Sequence, residues 1–264
     1  MASTPITRLN RRHWIALTAC SALPAWAQLN DLGDAINTAG RQRMLSQRLS
    51  KAWLARVQQT GGAQALQVMQ RSIEVFERQL NELQAYAPSP SIRNTYAELD
   101  SAWLSFREQL LNAPASRSGA QALLQADGRV LALAHQGTQQ LEALATRSAG
   151  RWVNLAGRQR MLSQRMAKFY FAAAWQVDVP TARQEIKLAR QEFVTAAKAL
   201  SQAPETTQRI AEELTLAEGQ WVFFDAALQA EASSPKQLTE VFVSSENLLA
   251  VMDRVTRFYA ALKT

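Results

Sequence analysis

A ten-residue run, Ala-Gly-Arg-Gln-Arg-Met-Leu-Ser-Gln-Arg, occurs twice in this chain without a difference. The copies are Ala39 to Arg48 and Ala156 to Arg165, a spacing of 117 residues. Asn37 and Asn154 stand two positions before the copies, and Lys51 and Lys168 three positions after them. A repeat of this period means that one structural unit has been used twice, so it constrains the fold before any local pattern does. Elsewhere the halves agree only at scattered positions. Helix packing alone does not demand identical arginines, so the repeat bears on function as well.

The first 27 residues read as an export signal. Arg8, Arg11 and Arg12 form a basic start, and Trp14 to Ala25 is a short apolar stretch broken by Pro24. Ala25-Trp26-Ala27 then has the small-x-small form of a cleavage site, which predicts Gln28 as the mature N-terminus. The pair Arg11-Arg12 before His13, Trp14 and Ile15 fits a twin-arginine signal or an ordinary Sec signal. Leu17-Thr18-Ala19-Cys20 resembles a lipobox, although the apolar stretch before Cys20 is short for one. A periplasmic address is expected, with a lipoprotein through Cys20 as the minor alternative.

Removing that segment leaves no cysteine and one histidine, His135. Disulfides, thiol chemistry, nucleophilic triads and common zinc sites lose their residues together. No cofactor and no enzymatic activity are expected. His135 itself reads as a surface or packing histidine. The signal carries three of the 29 Lys and Arg, so 26 cations remain against 22 acids. A mildly basic exported protein suits anionic ligands or surfaces, and nucleic acid is not expected. No later stretch approaches the roughly 18–20 apolar residues of a membrane span, which predicts a soluble protein. No signalling domain is expected in this chain.

The remaining composition is rich in Ala, Leu, Gln, Glu and Arg and poor in Gly and Pro, as helices require. Breakers fall at Thr60-Gly61-Gly62, Ala87-Pro88-Ser89-Pro90, Asn112-Ala113-Pro114, Val179-Pro180, Ala203-Pro204 and Ser233-Ser234-Pro235. The prediction is all-α: two tandem up-down four-helix bundles related by the 117-residue repeat, over residues 28–148 and 149–264. Phe76 matches Phe193 and Leu83 matches Leu200 at that spacing, and Trp103 and Phe106 match Trp221 and Phe224 after a one-residue shift. These positions read as core, as do the stripes Leu66, Met69, Ile73, Phe76, Leu80, Leu83 and Leu238, Phe242, Leu248, Leu249, Met252, Val255. Between Leu141 and Trp152 only Gly150 breaks the pattern. Both a fourth helix running into the fifth and a turn at Ser148-Ala149-Gly150 stay open.

On a helix, Leu45, Leu49 and Ala52 make a core row, repeated by Leu162, Met166 and Phe169. Gly40, Arg43, Gln47 and Ser50 share another face, and Asn37, Arg41, Met44 and Arg48 a third. A helix-interior Gly usually marks close approach of a backbone or ligand. Arg41, Arg43, Arg48 and Lys51 carry no acid among them, so they repel unless an anion or a neighbour's carboxylates offset them. A solvated basic face, or pairing of Arg41 and Arg48 with acids such as Glu98, Asp100 and Glu108, is the bland alternative.

The pattern Asn-x-Ala-Gly-x-x-Arg-Met-x-Ser-x-Arg resembles the first periplasmic helix of NarX-type nitrate/nitrite sensor kinases. The full ten-residue run is closer still to the N-terminal domain of PilJ-like type IV pili chemotaxis transducers. The resemblance is specific over about fifteen residues in each half. It implies a sensor bundle in which nitrate sits between two copies of the first helix, held by the Arg before Met and the region of the Gly. Those positions are Arg43 with Gly40, and Arg160 with Gly157. The neighbours Asn37, Asn154, Arg41, Arg158, Gln47 and Gln164 complete the candidate ligand-binding set. Arg41-Gln42 and Arg158-Gln159 are more basic than their counterparts in the nitrate sensors, and the flanking membrane helices of the receptors are lacking.

The expected function is therefore a periplasmic sensor-type protein that binds a small anion, nitrate or nitrite first. Reporting the ligand would take a membrane-bound signalling or transport partner. A tandem repeat can supply both copies of the helix from one chain, with Arg43 and Arg160 across a local two-fold; a homodimer is the alternative geometry. The alternative function is an interaction protein whose basic helices dock on a receptor, transporter or pilus component. Mass spectrometry of the exported protein is expected to find Gln28 at the N-terminus; a lipidated Cys20 would contradict this address.

Overall fold

The computed structural model describes residue 29 and residues 31–145, 149–230 and 234–262; the expected signal peptide, Cys20 and Gln28 lie outside them. Eight helices follow one another: α1 (Leu32–Val57), α2 (Gly62–Tyr86), α3 (Pro90–Asn112), α4 (Arg117–Glu142), α5 (Ala149–Ala174), α6 (Val179–Ser201), α7 (Gln208–Gln229) and α8 (Pro235–Ala260). No strand occurs among the described residues. None of these helices is long and apolar enough to cross a membrane.

The predicted breakers become caps. Ser89 accepts a hydrogen bond from the Ile92 amide with Pro90 at the first turn, and Ser234 does the same for Gln237 ahead of Pro235. Asp31, Ser116 and Thr207 cap α1, α4 and α7 in the same way. α4 ends at Glu142 before α5 starts at Ala149, so the two are separate helices.

Each half forms a four-helix unit. α1 packs on α2 and α4, with α3 against α4; α5 packs on α6 and α8, with α7 against α8. α2 and α3 are held apart and joined by stacked rings, Phe76 on Trp103 at 4.0 Å, and Phe193 on Trp221 repeats this at 4.4 Å. These are the aromatics that the repeat spacing paired. The α2 stripe is buried at Met69, Phe76, Leu80 and Leu83, but Leu66 is 38% exposed because Ala65, Val68 and Met69 form the buried side of the first turns and Leu66 lies off it.

The halves do not stack end to end. α1 and α5 lie side by side and parallel: the Ile36 side chain reaches Gly150 at one end, while Gln58 donates to the Phe171 carbonyl and Trp53 meets Trp175 at the other. This contact buries α1 around nearly its whole circumference from Ala35 to Ala55. The duplicated polar run thus sits at the centre of the molecule.

Buried ion pairs lock the halves together. Lys51 on α1 donates to Ser245 Oγ at 2.9 Å and Glu246 at 2.7 Å on α8. Lys168 on α5 donates to Asp127 on α4 at 2.6 Å, and Gln47 on α1 donates to the same carboxylate at 2.8 Å. Lys51 and Asp127 are wholly buried and Lys168 nearly so. Breaking such a pair from one side leaves the other charge buried and uncompensated. Asp127→Ala is expected to lower unfolding stability in urea by about 3–5 kcal/mol; a loss below about 1 kcal/mol, the range of surface pairs, would contradict this account of how the halves are joined.

Candidate functional site

Gly40 and Gly157 face each other where α1 and α5 approach, and the arginines one turn later fold back over them. A Cβ on Gly40 would stand 3.2 Å from Arg43 Nη2 and 3.6 Å from Arg160 Nη2. A Cβ on Gly157 would stand 3.2 Å from Arg160 Nη2 and 3.8 Å from Arg43 Nη2. Both guanidinium groups therefore share one small space on the local two-fold axis. Larger side chains at 40 and 157 would press into it, which is the reason for glycine within an otherwise regular helix.

Each arginine crosses to the other copy. Arg43 Nη2 donates to Asn154 Oδ1 at 2.7 Å, and Arg160 Nη2 donates to Asn37 Oδ1 at 3.0 Å. Both arginines are fully buried, and in both the Nε–H has no hydrogen-bond partner. Burial first, then the positive fields of Arg158 and Arg160, push Arg43 down to about 9 against the opposing pull of Glu142 and Glu192, neither of which it touches. Burial first, then Arg41, push Arg160 down to about 10 against the opposing pull of Asp253. Both remain charged at neutral pH, so the cost of two like charges in a shared buried space stands as a demand for negative charge.

The symmetry ends at the second partner. Arg160 Nη1 donates to Asp253 Oδ1 at 2.6 Å, a full ion pair. Arg43 Nη1 meets His135 Nδ1 at 3.3 Å instead. The one-residue shift that aligns Trp103 with Trp221 also aligns His135 with Asp253 and Gly128 with Glu246. α4 and α8 thus present different chemistry to equivalent arginines.

The sequence profile described as the type IV pili methyl-accepting chemotaxis transducer N-terminal domain, PilJ, matches residues 25–128 and again residues 145–247. The chain belongs to the PilJ family, with the domain present twice in tandem. No curated protein and no solved structure matches it significantly. PilJ domains are sensor-type and non-catalytic. Among the described residues no group of three or more His, Cys, Asp or Glu converges as metal ligands would.

Within the two PilJ repeats the expected ligand residues separate into three sets. Asn37, Gly40, Arg43, Asn154, Gly157 and Arg160 come together at the axis. Gln47 and Gln164 lie further along the helices, where Gln47 holds Asp127 and Gln164 donates to the Ser245 carbonyl at 2.9 Å. Arg41 and Arg158 lie on the flanks, paired with Asp253 at 2.8 Å and with Glu192 at 3.0 Å. Arg48 pairs with Glu246 and Arg165 with Glu185. Arg41 and Arg48 therefore do find carboxylates, but on α8 of the other repeat and not among Glu98, Asp100 and Glu108, because α1 is flanked by α8 across the join between halves.

His135 corrects the sequence reading. It is neither a plain surface nor a plain packing histidine, since its ring stands on Arg43 and accepts a hydrogen bond only when Nδ1 is unprotonated. Burial first, then Arg43 and Arg158, hold its pKa down to about 4, with Glu192 opposing. The folded state keeps the ring neutral, whereas the unfolded chain takes up a proton near 6.5. Stability from this ring is complete above about pH 6.5 and is lost as the pH falls toward about 4. Burial raises the Glu246 carboxyl, but Lys51 and Arg48 together outweigh it and hold it down to about 2, so its contribution is lost only as the pH falls below 4.5. The urea midpoint is expected to decline between pH 6.5 and 4.5 in the wild type and to flatten in His135→Gln. A wild-type midpoint that is level across that window would contradict the Arg43–His135 contact.

Proposed function

We propose that this protein is a periplasmic, sensor-type binder of a small anion, with nitrate or nitrite first, and that the ligand is drawn to the arginines between α1 and α5. The observation that carries the reading is the charge balance of the duplicated helix. Arg41, Arg48, Lys51, Arg158, Arg160, Arg165 and Lys168 each touch a carboxylate. Among the described residues, Arg43 is the motif cation with no carboxylate in ion-pair contact, and it is fully buried. A planar guanidinium with an unused Nε–H, set among neutral amide and imidazole partners, is suited to a small oxyanion. The tandem PilJ assignment supports a sensing role, and the export signal expected from the first 27 residues, with the periplasmic setting typical of PilJ domains, supports the periplasm.

Burial of the motif weighs against the alternative in which its arginines dock on a partner protein, because Arg43 and Arg160 are off the surface. A signalling or transport partner in the membrane remains part of the proposal, since ligand binding has to be reported. It would read a change in how the repeats pack.

Thermal unfolding with sodium nitrate, nitrite and sulfate tests the reading. An anion at 100 times its dissociation constant is expected to add about 2.7 kcal/mol. An Arg–oxyanion hydrogen bond contributes about 1.5–3 kcal/mol, so Arg43→Ala is expected to weaken binding about ten- to a hundredfold. Wild-type protein whose midpoint moves with none of these anions would contradict the proposal.

A further inference from the structure

The two arginine half-sites are equivalent by repeat and unequal by chemistry. On the Arg160 side, α8 places Asp253 on both Arg160 and Arg41 and places Glu246 on Arg48 and Lys51. On the Arg43 side, α4 has His135 and Gly128 at the corresponding positions. With those two carboxylates missing, a cleft of about 440 Å³ runs between α4 and α6. Arg43 lies in its lining with Gly128, His135, Arg158, Glu185 and Glu192. Gly128 and Leu188 at its edges are exposed, so the cleft reaches solvent. Arg158 and Arg165 in the cleft are neutralised by Glu192 and Glu185 of α6.

We infer that Asp253 is a built-in anion that closes the Arg160 half-site, and that the Arg43 half-site, entered through the α4/α6 cleft, takes one singly charged oxyanion from solution. This rests on the anion-binding reading above and adds where the anion enters, how many bind and what charge they carry. One cation without an ion-pair partner answers one negative charge. Glu185 and Glu192 already neutralise Arg165 and Arg158 in the same cleft, so a second negative charge on the ligand has no cation to meet, and sulfate and hydrogen phosphate are disfavoured against nitrate or nitrite. The anion meets Arg43 with its unused Nε–H and the His135 ring, which supplies a neutral contact and leaves the positive charge on Arg43 unspent.

Calorimetric titration with sodium nitrate, together with unfolding midpoints, tests the inference on three forms of the full chain. Wild-type protein is expected to bind one nitrate per chain and to bind sulfate at least tenfold more weakly. His135→Asp copies the closed half-site into the open one; it is expected to raise the midpoint without nitrate and to weaken nitrate binding at least tenfold. Asp253→Ala uncovers Arg160 and is expected to bind two nitrates per chain. A His135→Asp protein that binds nitrate as tightly as wild type would overturn the open half-site, while leaving anion binding elsewhere on the axis intact. One nitrate per chain in Asp253→Ala would overturn the role of Asp253 as the internal anion. Nitrate, nitrite and sulfate all failing to bind wild type would instead remove the anion-binding reading and this inference with it.

Discussion

The parallel contact of α1 with α5 sets the terms for everything else in this molecule. It brings two copies of a strongly cationic helix face together and removes them from water. Like charges in a medium of low polarisability repel strongly, and each must be answered by a carboxylate, a dipole or a bound anion. α4 and α8 supply most of the answer by reaching over the join, Asp127 to Lys168 and Glu246 to Lys51. The same pairs that neutralise the centre therefore hold the repeats to each other. Charge neutralisation and domain association are one interaction seen from two sides.

The helix that matters most shows no clean apolar stripe. α1 alternates Arg, Gln, Ser and Leu because almost every side of it is covered, so its polar groups face partners and not solvent. Ser46, Gln47 and Ser50 are as buried as Leu45 and Leu49. A buried polar helix is costly unless its groups are satisfied, and here the charged groups find partners on neighbouring helices and the Gln42 and Gln47 amides donate to α2 and α4, while Gln42 Oε1, Gln47 Oε1 and Ser50 Oγ have none among the described residues. The Nε–H groups of Arg43 and Arg160 are unpaired as well, and they belong to charged groups.

Helix positions and the repeated buried aromatics were legible from breakers and spacing, since these depend on residues close in sequence or on a repeated register. The close approach at Gly40 and Gly157 was legible too, because glycine inside a helix has few other reasons to be there. The partners of the arginines were not. Asp253 reaches Arg41 over most of the chain, and no local pattern predicts such a pairing; nearer acids such as Glu98 turned out to serve Arg129. His135 was misread because a lone histidine in an Ala-rich helix carries no signal of its own. The signal lay in the repeat. The shift that aligned Trp103 with Trp221 also set His135 against Asp253, a neutral ring where its twin has a carboxylate.

That difference makes an internal pseudo-dimer behave unlike a pair of identical subunits. Two identical chains must offer two equal half-sites, whereas a fused pair can fill one permanently and keep the other for ligand. The central claim is that Arg43 is a buried cation awaiting an anion. A crystal structure of the protein grown in nitrate, with chloride excluded, tests it most directly. The account predicts a planar, three-oxygen density within hydrogen-bond distance of Arg43, with Asp253 still on Arg160. Ordered water alone around Arg43, or a carboxylate of the chain moved onto it, would contradict the account.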